Sequence, residues 1–210
     1  MTMLRGMEWT HHSIRDGSLV AVTDGSYISK LYSNLCSAAF VLECAKGRGW
    51  IVESFSECLD MANTYQGELL GLMAIHLLLL SMNKIHTTLK GRVEIVSDCL
   101  GALNRVSYLP PYRTPSRCWH SDILKTILVN CRDLSFAKHY SHIKVHQDDQ
   151  TAFHTLDRKA QLNCICDHAA KFRIAADRQE RSATEKMFPL EPVGVYVQGE
   201  KMTSEMGGSI

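Results

Sequence analysis

Several protein classes are excluded by what the 210-residue sequence lacks. Its eight cysteines, at 36, 44, 58, 99, 118, 131, 164 and 166, contain no CxxC pair, and no secretory leader is recognisable. That argues against a disulfide framework and makes reduced, intracellular thiols the expectation, in cytoplasm or nucleus. No apolar run reaches the roughly 20 residues needed to span a bilayer. The longest, LLGLMAIHLLLL (69–80), stops short of it, so a soluble protein without a membrane partner is expected. The formal charge of +1 exerts no global pull toward nucleic acid or a membrane surface. Internal repeats and low-complexity tracts are absent too. What remains is ordinary globular material: 45% hydrophobic and 21% charged residues, enough to bury a core in one domain with appendages.

Periodicity divides the chain into 1–17, a polar leading segment; 18–177, an α/β domain; and 178–210, a tail in which GVYVQGEKMT could form one hairpin. SLVAVTD (18–24) is a continuous apolar run, as expected of a strand covered on both faces. CSAAFVLEC (36–44) and GWIVESF (49–55) follow as strands joined through a glycine-bearing hairpin. From Thr64 to about Met82 the spacing is helical, and Asn63 with Gln66 resembles an N-cap and its N3 partner. GRVEIVSD (91–98) is a fourth strand leading into a short helix at CLGALNRV. YLPPYRTPSR (108–117) is a loop, because its three prolines break any ladder. SRCWHSDILKTILVNC (116–131) reads as an amphipathic helix with Trp119 in the core, the alternative being that it stacks a base or sugar. LSFAKHYSHIKVH (134–146) reads as a fifth strand, irregular around Lys138–Ser141, and a last helix covers about Leu156–Ala176.

This order constrains topology. Two hairpins make strands 1–3 antiparallel neighbours, and a right-handed crossover through the helix at 64–82 places strand 4 parallel to strand 1 on its other side. Asp24 and Asp98, each at the end of an apolar run, would then meet where open α/β sheets bind ligands. Taken alone, either residue reads as a turn or cap residue. Glu68 joins them early in a helix that is apolar on nearly every side. It is either an exposed first-turn glutamate favoured by the helix dipole or a buried one that must be paired or hold a cation. Three anions with no lysine or arginine in their own motifs call for a divalent metal. Cys99, Cys164 and Cys166 flank the acids but read as packing residues, since Mg²⁺ takes hard oxygen ligands.

TDGS (23–26), YQGELLGL (65–72), IVSDCLGAL (95–103) and NCICDHAAK (163–171) resemble the four acidic motifs of the ribonuclease H family. IKVHQDD (143–149) followed by LDRKAQLN (156–163) resembles, more narrowly, the ribonuclease H domain of eukaryotic retrotransposon polyproteins. The resemblance covers about residues 18–177. It implies a five-stranded mixed sheet flanked by helices, with strands 1–3 antiparallel and strands 4 and 5 parallel to strand 1. It implies cleavage of the RNA strand of an RNA–DNA hybrid, supported by two Mg²⁺ ions or by Mn²⁺ as a substitute, with Asp24, Glu68, Asp98 and Asp167 as metal-binding carboxylates. By the same resemblance His146 assists proton transfer or product release, and a reverse transcriptase domain of the parent polyprotein is the expected partner of a monomeric domain. Metal-led hydrolysis suits these residue types, because paired divalent ions activate water and neutralise a leaving oxygen.

Substrate contacts by resemblance fall on Gly25, Ser26, Asn63 and Gln66, where each side chain could instead serve local capping. Asn163, one helical turn before Asp167, could orient that site or be a plain amide. Asp148, Asp149 and Asp157 lie in a long insert after His146 and are solvated charges or alternative ligands. From Lys84 to Lys125 seven Lys/Arg face three Asp/Glu, so Arg105, Arg113 and Arg117 could grip phosphates or simply form a basic face. A catalytically weak nucleic-acid-binding module and a DNA-directed nuclease of the same superfamily are the alternative functions.

Overall fold

β1 (Leu19–Tyr27) lies at the middle of a five-stranded sheet because both of its faces are apolar. Leu19 and Ala21 point into one core and Val20 and Val22 into the other, the period-2 alternation of a strand covered on two sides. The computed structural model describes residues 8–29, 34–58, 62–86, 89–109, 119–145, 147–177 and the short segments 196–197 and 200–201. The strand order is β3-β2-β1-β4-β5, with β2 (Leu35–Cys44), β3 (Trp50–Cys58), β4 (Arg92–Ser97) and β5 (Ala137–His142). β1 pairs antiparallel with β2 and β2 with β3, while β1–β4 and β4–β5 are parallel, the mixed topology expected.

Helix α2 (Thr64–Ile85) covers one face. Leu69, Leu72, Ile75 and Leu79 are fully buried there, each worth about 1.5–3 kcal/mol relative to exposure. By length and composition α2 could cross a membrane, but 61% of its apolar window is buried inside the protein, as in a core helix. α3 (Leu100–Tyr108) and α4 (Ser121–Arg132) complete that layer. α5 (Arg158–Ala176) covers the other face, setting Ala160, Leu162, Cys166 and Ala170 against Val22, Ala39, Val41 and Val96. Residues 196–197 and 200–201 (β6 and β7) pair as a short antiparallel ribbon. Among the described residues the cysteines form no disulfide.

Four local expectations are corrected. The leading segment contains a helix, α1 (Glu8–Arg15), too short to display a period; it is held by fully buried Ile14 and by Trp9 stacked on Gly49. β1 runs on through Asp24, Gly25 and Ser26 to Tyr27 instead of turning, since β2 continues to pair with it as far as Cys36. β5 is regular from Lys138 to Ser141, in register with Val93–Val96. Its polar residues, which break the apolar pattern, find partners: Lys138 Nζ donates to the Cys131 carbonyl and Ser141 Oγ to Glu94. α4 begins at Ser121, after His120 in the left-handed conformation (φ 56°), and that turn leaves Trp119 55% exposed rather than in the core.

Candidate active site

The last parallel pair between β1 and β4 is Thr23 with Ser97, so Asp24 and Asp98 follow side by side. α2 delivers the third acid. It can lie this close only because the facing positions are glycines: a Cβ on Gly25 would overlap the Glu68 amide, and one on Gly71 would overlap Thr23 Oγ1. The Gly25 amide then donates to Glu68 Oε1 at 3.1 Å, locking that carboxylate toward the sheet. Asp24, Glu68 and Asp98 each offer an oxygen within 4.8 Å of the other two.

Asp24 and Glu68 are 6% and 5% exposed, and Asp98 is half-buried. Burial, then the Asp98 and Asp167 charges, push the Asp24 carboxyl up to about 7 despite hydrogen bonds from Glu68 and Gly25. Burial together with Asp24 and Asp98 pushes Glu68 well above the usual carboxylate range. Glu68 Oε2 is buried with no hydrogen-bond partner among the described residues. Clustered hard oxygens, mutual repulsion and an orphaned carboxylate oxygen fit a divalent cation.

Two solved structures share this architecture. Over 77% of this chain and 96% of its own, the N-terminal RNase H domain of a Mycobacterium tuberculosis protein, solved as a fusion with maltose-binding protein, superposes with a TM-score of 0.50 at 12% identity. The protease–reverse transcriptase of prototype foamy virus matches 74% of this chain with a TM-score of 0.52 at 19% identity, over 20% of its own length. The fold is that of ribonuclease H. No family model matches the sequence, and no curated protein matches it at the level of sequence.

On this ribonuclease H fold the remaining candidates are placed as follows. Asp167, on α5, is near enough to raise Asp24 but is not one of the three clustered acids; Lys171, one helical turn on, holds its Oδ2 at 2.7 Å. The sequence signal for that ion pair is the i,i+4 spacing within DHAAK, which the search for acids passed over. Asn163, 6% exposed, points its Nδ2 at Asp98 Oδ2 across 3.5 Å, and its Oδ1 is buried without a partner among the described residues. His142, which sequence reading did not single out, donates from Nε2 to the Asp98 carbonyl at 3.0 Å and ties β5 to the site.

The substrate-contact candidates have local occupations. The Gly25 amide serves Glu68, and Ser26 is 6% exposed. Asn63 caps α2 by accepting from the Gln66 amide at 2.9 Å, while its Nδ2 meets His120 Nε2 at 3.0 Å. Burial lowers His120 to about 4, so its ring is neutral and accepts that bond. Gln66 is 2% exposed with Oε1 unpartnered among the described residues, so it does not return a capping bond to Asn63 through that oxygen. Arg105 lies over the Tyr65 ring at 5.7 Å.

In the insert, Asp157 caps α5 by accepting from the Ala160 amide at 2.9 Å, Asp148 faces the Cys164 thiol, and Asp149 is exposed. None of the three joins the cluster. Cys166 is fully buried and Cys99 half-buried, its thiol pushed up to about 11 mainly by burial. His146, Arg113 and Arg117 lie outside the described residues.

Proposed function

We propose that this chain is a metal-dependent nuclease of ribonuclease H type that hydrolyses the RNA strand of an RNA–DNA hybrid. The carrying observation is the Asp24–Glu68–Asp98 cluster: three carboxylates, two of them buried, each with an oxygen within 4.8 Å of the other two. Asp24, Glu68 and Asp98 would hold the cation, with Asp167 as a fourth carboxylate released from Lys171. Mg²⁺ or Mn²⁺ held there supplies an activated water and neutralises developing charge on phosphate oxygens. The chain's own residues prepare this. The Gly25 amide orients Glu68, and Asn163 and His142 fix Asp98. His146 is assigned to proton transfer or product release by resemblance alone.

The hybrid is preferred to duplex DNA as substrate because the two solved structures are an RNase H domain and a reverse transcriptase polyprotein. The second supports a reverse transcriptase domain as the partner and a retroelement as the source. The test is cleavage of matched RNA–DNA, RNA–RNA and DNA–DNA duplexes with Mg²⁺, with Asp98→Asn as control. Hybrid cleavage that vanishes in Asp98→Asn while its melting curve persists supports the proposal. Cleavage of DNA–DNA alone, or hybrid binding without Mg²⁺-dependent cleavage, replaces it with one of the alternative readings.

A further inference from the structure

A second cluster of reactive groups lies where α2, α4 and β5 meet, two turns along α2 from Glu68. His76, fully buried, places Nδ1 at 2.7 Å from the Leu72 carbonyl oxygen. A carbonyl only accepts, so Nδ1 carries a proton, and in the neutral ring Nε2 is left to accept. The partner of Nε2 is the Tyr140 hydroxyl at 2.8 Å, which therefore donates. With its proton turned to His76, the hydroxyl accepts from Cys131, whose Sγ is 3.3 Å away. The hydrogen bonds form one directed chain from Cys131 through Tyr140 to His76. Lys138 donates to the Cys131 carbonyl at 2.7 Å, which brings its ammonium beside the thiol.

This arrangement sets the thiol apart from the other described cysteines. Burial pushes Cys131 up, but the charge His76 carries once it holds the relayed proton, with Tyr140 and Lys138, outweighs it and holds the thiol below its ordinary value, as the thiol in turn raises His76. Cys44 is also lowered, to about 7, yet it is 1% exposed. Cys131 is half-buried and opens on a cleft of about 610 Å³ between α3, α4 and β5. Val106, Tyr108 and Leu109 form the apolar wall of the cleft. Arg132, Lys138 and His139 form the polar one, and no aspartate or glutamate is among the lining residues. Arg132 also pairs through Nε with Asp133, outside that lining. A thiol with a proton acceptor, inside a cleft that is basic and free of acids, suits a small anionic electrophile.

We propose that Cys131 is a site of thiol–disulfide exchange with a small anionic peptide disulfide seated in this cleft. The Cys131 proton passes to Tyr140 as the Tyr140 proton passes to His76 Nε2, and the sulfur attacks one sulfur of the incoming disulfide. That S–S bond breaks as the new one to Cys131 forms, and the leaving thiolate takes a proton back from the imidazolium. Cys131 is oxidised, half of the incoming disulfide is reduced to a thiol, and no other oxidant is required.

The full chain is incubated at neutral pH with oxidised glutathione or, separately, with cystamine, a cationic disulfide. Modification is followed site by site by mass spectrometry, with Cys99 as the internal reference. Cys131 is expected to react at least about tenfold faster than Cys99, to be restored by dithiothreitol, and to prefer oxidised glutathione to cystamine. Arg132→Glu should reverse that preference. Tyr140→Phe should slow Cys131 about tenfold with the Cys99 rate unchanged. Equal rates at Cys131 and Cys99 in the unaltered protein overturn the proposal, whatever the variants do. A wild-type Cys131 rate in Tyr140→Phe overturns the relay, and cystamine reacting as fast as oxidised glutathione overturns the anionic partner. None of these readouts depends on nuclease activity.

Discussion

Asp16 and Asp24 flank and enter the same strand, β1, and the protein treats them in opposite ways. Asp16, before the strand, is met by Arg48 at 2.6 Å, Lys46 at 3.0 Å and the Ser18 amide at 3.2 Å. Those partners, the Arg48 guanidinium first, hold its carboxyl far below the usual range. Asp24, toward the other end, is buried beside two more carboxylates and pushed the other way, to about 7. The same contrast separates Glu94, paired with Lys159, and Glu43, paired with Arg158, from Glu68. Asp16, Glu43 and Glu94 are each met by a cation of the chain's own. At the C-terminal end of the β1–β4 pair carboxylates meet one another instead, and the repulsion there is what a bound divalent ion would remove.

The sharpest way to break the contrast is Asp24→Asn. A neutral amide is a poorer ligand for a hard cation, so hybrid cleavage should fall by at least about 10³-fold, the upper end of what one charge-stabilising group contributes. In chelator the same variant should melt no lower than the unaltered protein, because one of three repelling anions is gone. A variant that both unfolds and loses activity would leave Asp24 as a structural residue. Next in size is metal replacement. Mg²⁺ or Mn²⁺ should support cleavage, whereas Ca²⁺, larger and looser in coordination, should permit hybrid binding with little turnover. Equal cleavage rates in Ca²⁺ and Mg²⁺ would contradict a metal-positioned reaction.

The acids were legible because two rules coincide on them. Apolar runs that end in a carboxylate are visible as text, and the crossover rule then places two such ends together. Glu68 was legible because charge is rare in a helix whose other faces are apolar. What stayed hidden depends on three-dimensional approach. Gly25 and Gly71 read as turn and helix residues, yet their missing side chains are what let α2 rest on β1. Lys171 is an ordinary helical lysine until Asp167 is placed one turn before it. Trp119 reads as core only on a helix that starts at 116, five residues before α4 does, and the left-handed His120 marks the true start. The polar residues of β5 disguise a regular strand, since Lys138, Tyr140 and Ser141 find partners on α4, α2 and β4.

A smaller effect concerns stability without metal. The Asp24 carboxyl is raised from 3.8 to about 7 in the folded protein. The folded state therefore binds its proton more tightly, and the stability this contributes is full below about pH 4 and lost as pH rises through about 7. For this one group the loss is about 4 kcal/mol at most, or roughly 8–16 °C in Tm for a chain of this size. In chelator, Tm of the unaltered protein should fall more steeply between pH 5 and pH 8 than that of Asp24→Asn, and added Mg²⁺ should close the gap. Parallel curves for the two proteins in chelator would show that Asp24 is not held above its ordinary value.

The smallest effect is at Asp16, and it should have the opposite sign. Its carboxyl is depressed in the folded state, so its contribution is present above about pH 4 and disappears as pH falls through the folded value. The pairs with Arg48 and Lys46 are solvent-exposed and screened by salt, so Asp16→Asn should lower Tm only slightly at neutral pH, less so at high ionic strength. That small loss should fade in acid, where Asp24→Asn also loses its effect, and the two variants should therefore converge on the unaltered protein from opposite sides. Hybrid cleavage and its Mg²⁺ dependence should be unchanged, because Asp16 holds no residue of the carboxylate cluster. An Asp16→Asn protein that melts higher in chelator, or that needs a different Mg²⁺ concentration for cleavage, would show that the two ends of β1 do not divide structural from functional charge.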